Sequence, residues 1–261
     1  MSRQDFGVRL LTVLAAAGAI VAWHLYVTIG KVPAFILPAP WAVARQFVSM
    51  VQDGSLLFHM GITSAGILSG FLIGSSLGFL LGWLVAKSRT LEAALFPYMI
   101  AVQATPKVTL IPLFVIWFGL GLTSKLLLIV LSAFFPVLLN TVIGFRSVPR
   151  EYYELMQILH ATERQTLFKV KLPLSLPIVL AGLKVAMVQS VIGTIVAEWV
   201  SGKSGLGYLL VYGSTQFDSR LLMASILATT LVGLFFYWGI EIVEGRVLFW
   251  HESRILLEEG L

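Results

Sequence analysis

Cysteine is absent from the 261-residue sequence, and charged residues are scarce. Without cysteine the chain forms no disulfide, offers no thiolate nucleophile and holds no metal through sulfur. Charged residues make up 12% of the chain, about half the share found in soluble proteins. The histidines lack the spacing of metal ligands: His24, His59, His160 and His251. We therefore expect no metal site and no cofactor bound by this chain.

No motif for catalysis or phosphate binding is complete. The segment Gly202-Lys203-Ser204 resembles the end of a phosphate-binding loop, but Ala197 replaces the first glycine of that pattern. No Ser-His-Asp arrangement is evident, although the members of such a triad need not be close in sequence. The sequence therefore favours a protein that is not an enzyme.

Apolar residues are abundant instead. They make up 58% of the chain, against about 45–50% in soluble proteins. The mean hydropathy is +0.91. A soluble fold of this size cannot bury so much apolar surface. The composition therefore predicts an integral membrane protein.

Six apolar stretches approach or exceed the length of about 20 residues that a membrane-spanning helix needs. They cover residues 10–30, 60–86, 93–123, 126–145, 174–197 and 221–240. We therefore expect one all-α transmembrane domain over residues 1–261. The first stretch follows Arg3 and Arg9 and could be a cleaved signal peptide, but its length and the five stretches after it favour a membrane helix.

Lysine and arginine predict the orientation in the membrane. With the N-terminus inside, the inner segments hold eleven of these residues and the outer segments five, while Lys107 and Lys184 fall within spans. Both termini are therefore predicted to be cytoplasmic.

On the outer side, residues 41–51 place apolar side chains at helical spacing, which predicts a short helix at the membrane interface.

Glycine recurs at every fourth position along the second span, at Gly66, Gly70, Gly74, Gly78 and Gly82. Small residues at this spacing let another helix backbone approach closely. The pattern predicts tight helix packing, within the chain or between subunits. The alternative is a surface along which a moving helix slides.

The third span is interrupted by Pro97, Pro106 and Pro112, with Lys107 beside the middle proline. Proline removes a backbone donor, and unpaired backbone at membrane depth is tolerated only against protein or a water-filled cavity. Broken helices of this kind line substrate paths in transporters. Lys107 is thus a candidate for the path, unless its ammonium extends to the interface or pairs with a carbonyl.

Three further polar residues are candidates for the translocation path. Gln103 lies in the broken span, and Gln189 and Glu198 lie in the fifth span. Glu198 ends that span near the outer face, where it could serve an outer gate. The alternative for Glu198 is an interfacial carboxylate in contact with water.

The segment 147–173 is predicted to be a structured loop on the inner side. A short helix over residues 151–159 ends at His160 and Ala161. Thr162 and Gln165 then form the pattern of a capping box, which starts a second helix. Two short helices meeting at a corner suit the groove of a partner protein. The alternative is an amphipathic hairpin that rests on membrane lipid.

This segment resembles the EAA loop of ABC-importer permeases, which has the pattern E-A-A-x-x-x-G followed by I-x-L-P. Glu154 takes the position of the glutamate, His160 that of the glycine, and Leu172-Pro173 that of L-P. Other stretches resemble the branch that imports nitrate, sulfonates, taurine and pyrimidine or flavin precursors: Leu37-Pro38-Ala39-Pro40, Thr105-Pro106-Lys107, Phe134-Phe135-Pro136 and Gly205-Leu206-Gly207-Tyr208. The resemblance covers roughly residues 35–250.

The resemblance implies a homodimer in the bacterial inner membrane. It also implies two cytoplasmic ATP-binding subunits, which hold ATP and Mg²⁺, and an external solute-binding protein. The loop would form the coupling helix that seats in the ATPase. The residues that this assigns to coupling are Glu151, Glu154, Leu155, Met156, Leu159, His160, Ala161, Leu172 and Pro173.

The loop departs from the family pattern at three positions. Leu155 and Met156 replace two alanines, so the docked face is expected to be bulkier. His160 replaces a glycine that supports a corner with positive φ, a conformation that histidine tolerates better than most residues.

A secondary transporter or channel is the alternative function, but the halves of the chain show no inverted repeat.

Overall fold

The computed structural model describes residues 3–249, so Arg254 and His251 lie outside the described part. Within that part the chain is helical, with no β-strand. The α-helices are α1 (Arg3–Ile29), α2 (Pro40–Gln52), α3 (Ser55–Ala86), α4 (Arg89–Ala104), α5 (Ile111–Phe118), α6 (Leu122–Arg146), α7 (Arg150–Ile158), α8 (Glu163–Thr166), α9 (Leu172–Ser201), α10 (Leu206–Thr215) and α11 (Ser219–Val247). A 3₁₀ turn covers Lys107–Leu110, and a π-helical turn covers Leu167–Lys171.

Five helical segments in the described part are long and apolar enough to cross a membrane. The pair α4 and α5 forms a sixth if it is counted as one broken span, since the two parts meet at an angle of 84°. The predicted all-α membrane fold is therefore confirmed, including the interruption of the third span. The predicted interfacial helix corresponds to α2, which begins at Pro40.

Helices α3, α6 and α9 form the centre of the bundle. Helix α3 runs parallel to α6, and α9 runs antiparallel to both, as shown by the residues that meet along their lengths. We call the end that carries α7 and α8 the loop end, and the opposite end, where α9 leads into α10, the α10 end. Helices α2, α10 and α11 pack around this centre, whereas nearly all of α1 from Leu10 onward is exposed.

The glycine stripe of α3 packs against α6 of the same chain. A Cβ at Gly74 would lie 2.5 Å from the Val130 carbonyl oxygen, and one at Gly78 would lie 2.5 Å from the Phe134 carbonyl oxygen. A Cβ at Gly82 would likewise lie too close to the Thr141 side chain of α6, and one at Gly66 would lie against the Thr194 side chain of α9. The stripe therefore allows tight packing within the chain, which was one of the two arrangements expected.

Candidate coupling loop and translocation path

The loop between α6 and α9 consists of α7, a corner, α8 and the π-helical turn. Pro149 stands just before α7, with extended backbone angles (φ −60°, ψ 147°). The π-helical turn joins α8 directly to α9, so the second half of the loop continues into a membrane helix. A movement of the loop would therefore be passed to α9 without an intervening flexible connector.

His160 makes the corner after α7 with a positive φ of 51°. The His160 N–H donates to the Gln157 carbonyl at 3.0 Å, and the Ala161 N–H donates to the Met156 carbonyl at 2.9 Å. These bonds satisfy carbonyls at the end of the helix in the manner of a left-handed C-terminal cap. The corner expected of a glycine is thus present with histidine in its place.

A capping box starts α8, as the sequence predicts. The Gln165 N–H donates to the Thr162 hydroxyl at 3.3 Å, and the Thr162 N–H donates to the Gln165 side-chain oxygen at 2.8 Å. The two bonds satisfy donors that the first turn of a helix otherwise leaves unpaired. They fix the direction in which α8 leaves the corner.

The tip of the loop presents apolar side chains. Leu155 is 51% exposed and Leu159 is 64% exposed. Ile158, at 74%, was not among the residues expected there, although its position in α7 places it on the same surface. Five of the residues assigned to coupling are exposed: Glu151, Glu154, Leu155, Leu159 and His160. The other four are half-buried: Met156, Ala161, Leu172 and Pro173.

At the break of the third span, side chains satisfy carbonyls that the interrupted helix leaves free. The Lys107 ammonium donates to the Gln103 carbonyl at 3.2 Å, and the Thr105 hydroxyl donates to the Ala101 carbonyl at 3.1 Å. Both carbonyls belong to the last turn of α4, where backbone acceptors lack helical partners. The lysine therefore pairs with a carbonyl, one of the alternatives the sequence left open.

Lys107 is half-buried, with its ammonium 5.9 Å from the centre of the Phe135 ring. The side-chain oxygen of Gln103 is buried and accepts no hydrogen bond from the described residues. Beyond the break, Ile111 packs with Leu128 and Ala197, which holds α5 against α6 and α9. The break is therefore a polar site set against the bundle core.

Glu198 lies at the α10 end and is only 3% exposed. Its carboxylate accepts hydrogen bonds from the Thr63 hydroxyl at 3.0 Å and from the Gly207 N–H at 2.8 Å. The Leu206 N–H donates to the same Thr63 hydroxyl at 2.8 Å. The alternative of a carboxylate in contact with water is therefore wrong, because Glu198 is enclosed by α3 and α10.

His59 extends this cluster. The Gly205 N–H donates to His59 Nδ1 at 2.9 Å, and the His59 ring stacks on Tyr208 with centres 6.0 Å apart. Gly205 has a φ of +104°, so it takes a conformation that other residues rarely adopt. We call Thr63, Glu198, His59 and the N–H groups of residues 205–207 the α10 clamp, since together they fix the start of α10.

The candidate path residues do not all converge. Gln103 and Lys107 meet at the break, Gln189 is exposed on α9, and Glu198 is enclosed in the α10 clamp. The sequence does not predict the roles of Thr63 and His59, because both are separated from their partners by more than a hundred residues. The sequence offers no local signal for such contacts.

Residues 74–249 match the family described as the inner membrane component of binding-protein-dependent transport systems. The matched region includes the broken span, the loop and the α10 clamp except for its α3 residues. The chain belongs to this family. It is therefore an ABC-importer permease, as the resemblance in the sequence indicated.

Several relatives are similar over nearly the whole chain. The riboflavin transport system permease protein RibX of Chloroflexus aurantiacus is 37% identical over 90% of this chain and 87% of its own length. The formylaminopyrimidine transport permease protein ThiX of Halalkalibacterium halodurans is 34% identical over 90% of this chain and 93% of its own length. An aliphatic sulfonates transport permease protein, SsuC of Bacillus subtilis, is 32% identical over 92% of this chain and 87% of its own length.

A solved structure shares the fold. The inward-facing methionine ABC transporter MetNI matches with a TM-score of 0.57 and 18% sequence identity. The match covers 81% of this chain and 98% of the other. The likeness supports the arrangement of the helices.

Proposed function

We propose that this chain is the transmembrane subunit of an importer and works as a homodimer with two cytoplasmic ATP-binding subunits. An external solute-binding protein would deliver the solute. The observation that carries the proposal is the loop tip, where α7 exposes Leu155 and Leu159 beside the His160 corner in a chain of this family. Exposed apolar side chains on a rigid helix fit a groove in a partner protein.

In this proposal Glu151, Glu154, Leu155, Leu159 and His160 contact the ATP-binding subunit directly. Met156 and Ala161 within the loop, and Leu172 and Pro173 at the start of α9, are half-buried and are proposed to support the exposed residues. ATP and Mg²⁺ would be bound by the partner subunits, with no cofactor held by this chain. Closure of the ATPase would move the loop, and the π-helical turn would pass that movement to α9.

The loop end would face the cytoplasm of a bacterial cell, with both termini on that side. The lysine and arginine distribution supports this orientation. Helix α2 and the α10 clamp would then face outward, where the solute-binding protein docks.

The solute is proposed to be a small organic anion or a vitamin precursor. The relatives named for riboflavin, formylaminopyrimidine and sulfonate transport support this class. Lys107 and Gln103 at the break are proposed to contact the solute as it passes. Gln189 and Glu198 are proposed to belong to the same path, with Glu198 acting through the position of α10.

Reconstitution in liposomes would test this function. The permease, the ATP-binding subunits and the binding protein would be combined, and uptake of riboflavin, a pyrimidine precursor and taurine would be compared. We expect uptake of one of these classes that requires both ATP and the binding protein. Uptake that proceeds without ATP would contradict the proposal and favour a secondary transporter.

A further inference from the structure

A cavity of 620 Å³ lies at the loop end, between the body of the bundle and the loop. Trp83 of α3, Lys87 directly after the end of α3, and Tyr153 of α7 line it. The other charged residues of the lining are Glu163 and Arg164 of α8 and Lys171, which directly precedes α9. The cavity is separate from the break of the third span and from the α10 clamp.

The polar lining is cationic. Lys87, Arg164 and Lys171 carry three positive charges, and Glu163 carries one negative charge. Among the side chains that the structure describes, neither lysine has an ion-pair partner, whereas Arg146 pairs with Glu92 and Lys184 pairs with Glu244. The ammonium groups of the two lysines are therefore not paired with a carboxylate among the described side chains, and they remain available to an anion in the cavity.

Aromatic rings hold both lysines in place. The Lys87 ammonium lies 3.9 Å from the centre of the Trp83 ring, and the Lys171 ammonium lies 4.7 Å from the centre of the Tyr153 ring. Burial raises the pKa of the Tyr153 phenol, so that ring remains neutral beside the lysine. A cation–π contact uses the face of a ring and leaves the remaining N–H donors available for an anion.

Exposed leucines lie further along the two helices that flank the lysines. On α3, Leu80 and Leu84 share a helical face with Lys87 and are 50% and 46% exposed. Leu174, three residues after Lys171 in α9, is 39% exposed. Because α3 runs toward the loop end and α9 runs away from it, the leucines lie deeper in the bundle than the lysines. Acyl chains along these leucines would place a lipid phosphate between the lysines.

We propose that this cavity binds the phosphodiester of an anionic phospholipid, with Lys87 and Lys171 as the principal donors and Arg164 at the rim. An anionic headgroup such as phosphatidylglycerol fits the net positive lining better than a zwitterionic one. The site does not depend on which solute the permease carries.

Lipid binding would be measured on the full-length chain, together with any subunits that remain bound to it. After delipidation, native mass spectrometry would follow binding of phosphatidylglycerol and phosphatidylcholine. We expect roughly a thirtyfold preference for phosphatidylglycerol, the ratio that two lysines at about 1 kcal/mol each give near a lipid surface. The preference should be lost in the double variant Lys87→Gln/Lys171→Gln. It should remain in Lys203→Gln, which removes an exposed lysine at the α10 end.

Equal binding of the two lipids, or the same loss in Lys203→Gln, would overturn the proposal. Glycerol 3-phosphate distinguishes the two sources of the phosphate: if it binds as tightly as phosphatidylglycerol, the acyl chains contribute nothing, the site takes a free phosphate and the lipid assignment is wrong. If the double variant fails to fold, a photoactivatable phosphatidylglycerol on the wild-type chain decides the question. Labelling of peptides at the end of α3 and the start of α9 is expected, and labelling elsewhere alone would overturn the proposal.

Discussion

The Thr63 hydroxyl donates to the Glu198 carboxylate at 3.0 Å, which joins α3 to α9 across 135 residues of sequence. The carboxylate also accepts the Gly207 N–H in the first turn of α10. A carboxyl oxygen beside the start of a helix accepts hydrogen bonds from N–H groups that have no partner within the helix. Glu198 therefore positions α10 relative to the centre of the bundle.

Replacing Glu198 with Ala is expected to destabilise the protein by about 1–3 kcal/mol, because the Gly207 N–H would lose its acceptor in a buried site. The measurement is the thermal unfolding midpoint in detergent. Glu154→Ala is the matched control, since Glu154 is exposed at the opposite end. Equal midpoints for the two variants would show that the α10 clamp contributes no stability.

Gly74→Ala tests the packing of α3 on α6. A Cβ at Gly74 would lie 2.8 Å from the Ala133 Cβ and 2.5 Å from the Val130 carbonyl oxygen, so the helices must separate. Gly61→Ala is the control in the same helix, because a Cβ there meets nothing within 4 Å. We expect the midpoint to fall for Gly74→Ala and to stay or rise for Gly61→Ala, since alanine favours a helix by up to about 1 kcal/mol. An unchanged midpoint for Gly74→Ala would contradict the close packing.

Glu154→Arg tests the coupling loop. The substitution reverses an exposed charge at the tip and should abolish solute uptake while membrane insertion and the unfolding midpoint stay normal. Glu241→Arg makes the same charge change at an exposed position of α11, outside the loop, and should retain most uptake. Normal uptake by Glu154→Arg would refute its role in coupling.

Substitutions of His160 test whether docking depends on the left-handed corner after α7. A left-handed conformation costs a residue with a Cβ about 1–2 kcal/mol, so His160→Gly should keep the corner and its function. Valine is β-branched and fits this conformation poorly, so His160→Val should distort the corner and reduce retention of the ATP-binding subunit. The measurement is the amount of that subunit co-purified with each variant. If valine and glycine behave alike, the φ of residue 160 does not matter for docking.

Substitutions of Lys107 test its role in the translocation path. If the solute is an anion, Lys107→Gln should lower uptake about tenfold, the loss expected for one charge-assisted hydrogen bond of about 1.5 kcal/mol. Lys107→Arg preserves the charge and should retain more uptake. Initial uptake rates at saturating binding protein would be compared. Equal rates for the glutamine variant and the wild type would show that the lysine serves only to pair with the Gln103 carbonyl.

Local signals in the sequence predicted much of the fold. The broken span follows from Pro106 and Pro112, and the capping box follows from the spacing of Thr162 and Gln165. The α10 clamp could not be predicted, because Thr63 meets Glu198 only when α3 and α9 lie side by side. The spacing of the glycines indicated close packing, but which helix they meet depends on the tertiary arrangement.

Purification of the tagged chain with the proteins expressed beside it is the most direct test of the central claim, that partner ATPases drive this permease through the loop. Mild detergent would preserve the complex, and the co-purified proteins would be identified and quantified. We expect a stoichiometric ATP-binding subunit that is lost from Glu154→Arg. A chain that purifies alone and transports its solute in liposomes without ATP would contradict the account.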